Sequence, residues 1–197
     1  MKRIALVAAF CFLLSVPGSS LADTVSTTTG GSIQTTLGYG ITLNEKSGLQ
    51  REWITVHNDL PVDIVDTAGI KTVYDQGRLS GEYAYKAKYS LSMKQPVVAF
   101  QVRFLLFDIW GNHVKTLSDT EIIDVAAGET KTQDSSWRLY SENEASEYYA
   151  SIAYVATVRL ASGQVLKANP EPVLAEARKF SAKFQLADLE PTPKKDK

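Results

Sequence analysis

The feature that most constrains this fold is an apolar stretch at residues 96–109. Within it, one face of an extended chain carries a row of apolar side chains, namely Phe100, Val102, Phe104 and Leu106. Because successive strand residues point to opposite faces, this alternation predicts a strand with one buried face. Near the end of the stretch, Leu105 and Phe107 make the other face apolar as well. The stretch therefore predicts the central strand of a buried sheet.

Other segments of similar length surround this strand and are separated by turn signals. The clearest alternation runs over residues 83–93, where apolar and polar side chains take turns. The turn residues Trp110-Gly111-Asn112 and residues 126–129 interrupt the apolar segments. Many short strands at even spacing predict an all-β sandwich or barrel, and the lack of alternating helices excludes a doubly wound sheet.

The spacing changes near the C-terminus. Apolar residues recur there at intervals of four, three and four, at Val173, Ala177, Phe180 and Phe184. This stripe predicts one amphipathic helix within residues 169–188, with a proline in its first turn. We expect the helix to cover the sandwich, and the alternative is that it binds a groove on a partner.

The N-terminus predicts a secretory signal peptide at residues 1–22. Two basic residues precede an apolar run at residues 4–16, and the small residues Ser20 and Ala22 follow it. The alternatives are an uncleaved anchor or a buried strand, but the run is shorter than the roughly 20 residues that a membrane span needs. We expect a periplasmic or secreted protein, from a cell of the Gram-negative type, with no transmembrane segment in the mature chain. Its only cysteine, Cys11, would leave with the leader.

Composition divides the rest of the chain. A Thr/Ser/Gly-rich stretch is expected to be a flexible leader, and a charged, proline-containing end is expected to be a disordered tail. Four alternating residues of the leader, at 37, 39, 41 and 43, suggest an edge strand. The predicted division is residues 1–22 signal peptide, 23–48 leader, 49–168 β-sandwich, 169–188 helix and 189–197 tail.

The charge of the chain argues against general nucleic-acid binding. Removal of the leader changes the formal net charge from −1 to −3, because residues 1–22 contain two basic residues and no acidic one. A nucleic-acid binder needs a basic surface.

One pentapeptide resembles a known family signature. Residues 104–108, Phe-Leu-Leu-Phe-Asp, resemble the Phe-x-Leu-Tyr-Asp motif of the FxLYD family, with Phe107 in place of the tyrosine. Ala127-Gly128-Glu129 similarly resembles the Pro-Gly-Glu turn that precedes the next strand. The resemblance covers residues 80–165 and implies an immunoglobulin-like antiparallel β-sandwich that is extracytoplasmic and usually not an enzyme. With the terminal helix, the predicted class is an immunoglobulin-like β-sandwich followed by a single α-helix.

Catalytic, cofactor and metal sites are not predicted. His57 and Asp59 are one candidate for a catalytic dyad, but no Gly-x-Ser-x-Gly motif or mature cysteine accompanies them, so a solvated turn histidine is favoured. Asp59, Asp63 and Asp66 lack a calcium-loop pattern and fit turn positions better. The acidic residues 142, 144 and 147 are interpreted as a solvated loop rather than as a glycosidase pair.

The aromatic residues are the strongest candidates for function. The chain has three tryptophans, Trp53, Trp110 and Trp137, and one of them is expected in the core. Trp110 lies in a turn, so either it anchors a partner or it folds back over the sandwich. The candidate partner-binding residues are Trp110, Asn112 and His113. They suggest a non-enzymatic binding or assembly module for a protein or cell-envelope component, the alternatives being a carbohydrate-binding module with exposed aromatics and a hydrolase with an unrecognised site.

Overall fold

The computed structural model describes residues 27–36, 42–43, 52–75, 82–108, 110–139 and 148–193. The predicted signal peptide and the acidic loop at residues 141–147 lie outside these ranges. The described elements are β1 Thr27–Thr36, β2 Thr42–Leu43, β3 Glu52–Val56, β4 Val62–Asp75, β5 Glu82–Met93, β6 Val97–Asp108, β7 His113–Val125, β8 Thr130–Leu139, β9 Tyr148–Leu160, β10 Val165–Lys167, α1 Pro170–Phe180 and a 3-10 helix Leu186–Leu189.

The strands form two sheets that are joined through β1. The first sheet has the order β7-β6-β9-β3-β1, and the second has the order β1-β4-β5-β8. The early part of β1 pairs antiparallel with β3, and its later part, Ile33 to Thr35, pairs parallel with β4. Most other pairs are antiparallel, apart from the parallel pair β3 and β9. The predicted all-β sandwich class with one α-helix is confirmed for the described residues, whereas the immunoglobulin-like label stays a prediction.

The core between the two sheets is built on β6, as predicted, but β6 lies next to the edge strand β7 and is not the central strand of its sheet. Phe100, Val102, Phe104 and Leu106 are all buried there. The ring of Phe104 packs against four other aromatic rings at centroid distances of 5.2 to 6.4 Å, those of Trp53, Tyr85, Tyr89 and Trp137. Trp53 is fully buried and is the core tryptophan that the sequence led us to expect. Phe104 therefore lies at the centre of the aromatic packing.

A second core lies on the outer face of the first sheet, beneath α1. Leu105 and Phe107 of β6 are fully buried there, together with Val173 and Ala177 of the helix. This explains why the end of β6 is apolar on both faces: one face contacts the second sheet, and the other contacts the helix. The helix thus packs on its own domain, as expected.

The helix is shorter than predicted. The Asn169 side chain accepts a hydrogen bond from the Glu171 backbone N–H at 3.1 Å, so Asn169 caps a helix whose first residue is Pro170. The helix ends at Phe180. Phe184 lies in the non-helical segment that follows, and its side chain is buried. Phe184 continues the apolar spacing of the helix although it lies beyond the last helical residue, Phe180. The predicted end at residue 188 is therefore too late.

The leader and the tail also differ from expectation. Residues 27–36 form β1, because strands on both sides supply hydrogen-bond partners that composition alone does not reveal. Of the suggested edge strand at residues 37–43, Thr42–Leu43 form β2, and the rest lies outside the described residues. In the predicted tail, Leu189 is buried and Thr192 is hydrogen-bonded to β7. No helix in the described ranges is both long and apolar enough to cross a membrane.

Candidate functional site

The turn between β6 and β7, residues 108–112, is held together by the Asp108 side chain. Its carboxylate accepts hydrogen bonds from the backbone N–H groups of Trp110 at 2.9 Å and Asn112 at 2.8 Å. It also accepts one from Asn112 Nδ2 at 2.9 Å. Partial burial alone would raise the pKa of Asp108, but these hydrogen bonds outweigh it and hold that pKa below its ordinary value. An aspartate at the start of a turn commonly bonds to backbone groups in this way.

The turn is also pressed against the end of α1. Gly111 has a φ of 78°, a backbone conformation that glycine adopts without steric penalty. A Cβ atom added at Gly111 would lie 2.8 Å from the carbonyl oxygen of Phe180. Both the conformation and the close approach require a glycine here. The helix end and the Asp108 carboxylate therefore fix the backbone of this turn from two sides.

Trp110 projects from this fixed turn into solvent. Its side chain is 79% exposed, so it does not fold back over the sandwich. The other two tryptophans differ from it: Trp53 is fully buried, and the half-buried Trp137 donates its indole N–H to the carbonyl of Ser118 at 3.2 Å. Trp110 is thus an exposed apolar side chain on a backbone that is already ordered.

The other two candidate residues have structural contacts. Asn112 is exposed, but its amide donates to Asp108. His113 is half-buried: its ring lies 4.9 Å from that of Phe184 and 5.7 Å from that of Phe107. Burial lowers the pKa of His113, and the nearby Asp188 carboxylate opposes this only in part. The three candidates therefore share one turn, but Asn112 is bonded to Asp108 and His113 is half-buried, and Trp110 is the large exposed apolar side chain among them.

An aromatic cluster that the sequence does not predict lies behind the turn. Phe107 stacks on Phe180 with centroids 5.4 Å apart and lies 5.7 Å from Phe184. His113 completes this cluster. The sequence signals were the apolar outer face at Phe107 and the helical stripe that contains Phe180 and Phe184, and neither revealed that the helix would end above Phe107.

The remaining polar candidates do not converge. His57 Nδ1 lies 2.7 Å from Asp63 Oδ1, so His57 pairs with Asp63, whereas Asp59 is exposed. Asp66 is also exposed. Within the described ranges, no three His, Cys, Asp or Glu side chains come close enough together to share a metal ion.

Comparison with known proteins adds little. No protein-family model matches the chain, and no curated protein matches it. A solved structure of a hypothetical protein from Peptoclostridium difficile 630 is 11% identical, covers 68% of this chain and 98% of its own, and superimposes with a TM-score of 0.43. At that TM-score the likeness supports no inference about function. The resemblance to the FxLYD family stays a prediction.

Proposed function

We propose that this protein is an exported, non-enzymatic binding module that docks onto a protein partner in the cell envelope through the β6–β7 turn. The observation that carries this proposal is the 79% exposure of Trp110 on a turn whose backbone is fixed by Asp108 and by the end of α1. Export itself rests on the signal-peptide pattern of residues 1–22.

The physical argument is preorganisation. Tryptophan is enriched among the residues that dominate binding energy at protein interfaces, because it buries a large area with few rotatable bonds. A backbone that is ordered before binding loses little conformational freedom when the partner arrives. A turn at the end of a sandwich is also a common place for binding residues. Trp110 meets all three conditions.

A protein partner is favoured over a carbohydrate by the number of exposed aromatics. A sugar-binding platform presents several aromatic rings, whereas Trp110 is the one aromatic among the exposed large apolar side chains of residues 53–66, 84–108, 110–139 and 150–193, the ranges in which side-chain burial is described. The other exposed ones are aliphatic, at Val65, Ile122, Val165 and Leu186. A single aromatic anchor is typical of a contact between proteins.

Site-specific photocrosslinking tests this function. A photoreactive amino acid is placed at position 110 in the producing cell, and a matched control carries it at Ile122, which is 87% exposed on β7. We expect one discrete protein adduct from position 110 that is absent from the control. The partner identified in this way is then purified and should bind the parent protein directly, and bind Trp110→Ala at least tenfold more weakly. Equal adducts from both positions, or equal affinity for parent and variant, would contradict the proposal.

A further inference from the structure

The C-terminal segment at residues 189–193, called the strap here, is fastened to the outer edge of β7. The Thr192 backbone N–H donates to the carbonyl of Thr116 at 2.9 Å. In return, the Thr116 N–H donates to Thr192 Oγ1 at 2.9 Å. Both backbone groups of Thr116 that face away from β6 are therefore occupied by one residue of the strap.

Arg103 holds the same segment from the outer face of β6. Its Nη1 donates to the carbonyl of Leu189 at 2.8 Å, and its Nη2 donates to Glu190 Oε2 at 2.8 Å. The guanidinium is oriented by Gln101 Oε1, which accepts from its Nε at 2.9 Å. Arg103 is only 13% exposed at its side chain, and Thr116 is 1% exposed. Together, Arg103 and Thr116 form a binding site for an extended segment, which is called the Arg103–Thr116 seat here. Arg103 binds a carboxylate of the segment, and Thr116 binds the residue two positions further on.

Residues 190–193 of the strap are held in this seat by few interactions. Next to Thr192 the strap does not continue this pairing, because the Glu190 N–H donates to the carbonyl of Ala187 at 3.1 Å, and Pro191 and Pro193 have no N–H. Glu190 is 70% exposed, and an ion pair with so exposed a partner contributes little stability. Leu189, in contrast, is 4% exposed and anchors the segment just before these residues. Residues 190–193 are therefore the part of the strap that is easiest to release.

We propose that the Arg103–Thr116 seat is a docking site for an extended, acidic segment of a partner protein, and that residues 190–193 occupy it in the free protein. The partner segment carries a carboxylate for Arg103 and, two residues later, a backbone N–H and a hydroxyl for Thr116, as Glu190 and Thr192 do. A segment that is extended on both sides of the threonine also pairs with β7 beyond Thr116, where the Glu190 N–H of the strap instead turns back to Ala187, and it therefore displaces the strap. This is strand addition to a sheet edge, a recurring mode of peptide recognition.

Peptide binding to the full mature chain tests the proposal. The Glu190→Ala, Thr192→Pro double variant removes the carboxylate, the N–H and the hydroxyl of the strap, and so opens the seat. The probe is a fluorescent peptide Asp-Leu-Glu-Val-Thr-Val, and its anisotropy reports binding. We expect the double variant to bind the probe at least tenfold more tightly than the parent, whose strap competes. Equal affinity for both proteins would overturn the proposal.

A charge exchange identifies Arg103 as the contact. In the double-variant background, Arg103→Glu should lose at least tenfold in affinity for the acidic probe and regain it for a probe with Lys in place of Glu. Recovery of binding shows that the variant is folded. If Arg103→Glu does not fold, the two probes are compared on the double variant alone. There the Lys probe should bind at least tenfold more weakly than the acidic probe. An acidic and a Lys probe of equal affinity there would overturn the proposal. Trp110→Ala should leave probe binding unchanged, which separates this site from the proposed function of the turn.

Discussion

The carbonyl oxygen of Phe180 lies so close to Gly111 that a Cβ atom at Gly111 would stand only 2.8 Å from it. This contact joins the β6–β7 turn to the last residue of α1. The rings of Phe107 and Phe180 stack just behind it at 5.4 Å. The position of Trp110 is therefore set by the helix as well as by its own turn.

Gly111→Ala should destabilise the protein more than alanine at a matched glycine. Gly128 has a similar φ of 84°, but a Cβ added there would meet no atom within 4 Å. Gly128→Ala should therefore cost about 1–2 kcal/mol, the penalty of the left-handed conformation alone. Gly111→Ala should cost about 1–3 kcal/mol more, because the backbone of α1 has to move. Urea unfolding measures both, and equal losses would show that the close contact is not maintained.

Phe104→Ala should lower the free energy of unfolding by about 3–5 kcal/mol, as expected for removal of a fully buried aromatic side chain. Four aromatic rings pack against Phe104, and because the surroundings of a deleted side chain relax only in part, a cavity should remain between them. Ile122→Ala is the control, because Ile122 is 87% exposed and its truncation should change stability by about 0.5 kcal/mol or less. A loss below about 1 kcal/mol for Phe104→Ala would place the core elsewhere.

Patterns of apolar and polar residues predicted the elements whose buried faces can be recognised from a few consecutive residues, namely β5, β6 and the helix. The alternation in β6 and β5 identified the inward side chains correctly, and the dual apolar character at Leu105 and Phe107 already indicated two buried faces. The apolar stripe correctly predicted a helix. Phe184 belongs to the same core but lies outside the helix, so the apolar spacing overestimated the length of the helix. The pairing of β1 with β3 and β4 depends on distant strands, which a Thr-rich composition does not report.

The candidate site was predicted in position but not in detail. Trp110 was recognised from its place in a turn, yet its exposure depends on how the turn meets α1, which no local pattern shows. Asn112 and His113 are polar residues next to it in sequence, and this adjacency suggested a shared surface. The structure instead directs Asn112 to Asp108 and packs His113 against Phe184.

His113 should make the protein less stable in mild acid. Its pKa in the folded protein lies below the ordinary 6.5, so the unfolded chain binds the proton more readily. The stability that neutral His113 contributes is complete above that ordinary value and is lost as the pH falls through the folded pKa. Between about pH 8 and pH 5, the parent should therefore lose more unfolding free energy than His113→Gln, which does not titrate. Parallel pH profiles for the two proteins would contradict the assignment.

The signal peptide should be removed after Ala22. The small residues Ser20 and Ala22 follow an apolar core of the length that a signal peptidase recognises. Intact-mass spectrometry of the exported protein should find a chain that begins at Asp23. An Ala22→Leu variant should retain the leader, because a bulky residue blocks the cleavage position. Membrane retention of residues 1–22 in the parent protein would contradict the prediction.

Trp110→Ala offers the most direct test of the central claim, that this residue serves binding and not folding. Because the side chain is 79% exposed, its removal should change the free energy of unfolding by about 0.5 kcal/mol or less. The same variant should bind the partner identified by crosslinking at least tenfold more weakly. Both quantities are measured on one preparation, by urea unfolding and by titration calorimetry. A loss of about 3 kcal/mol in stability, the value typical of a buried aromatic, or unchanged partner affinity would contradict the account.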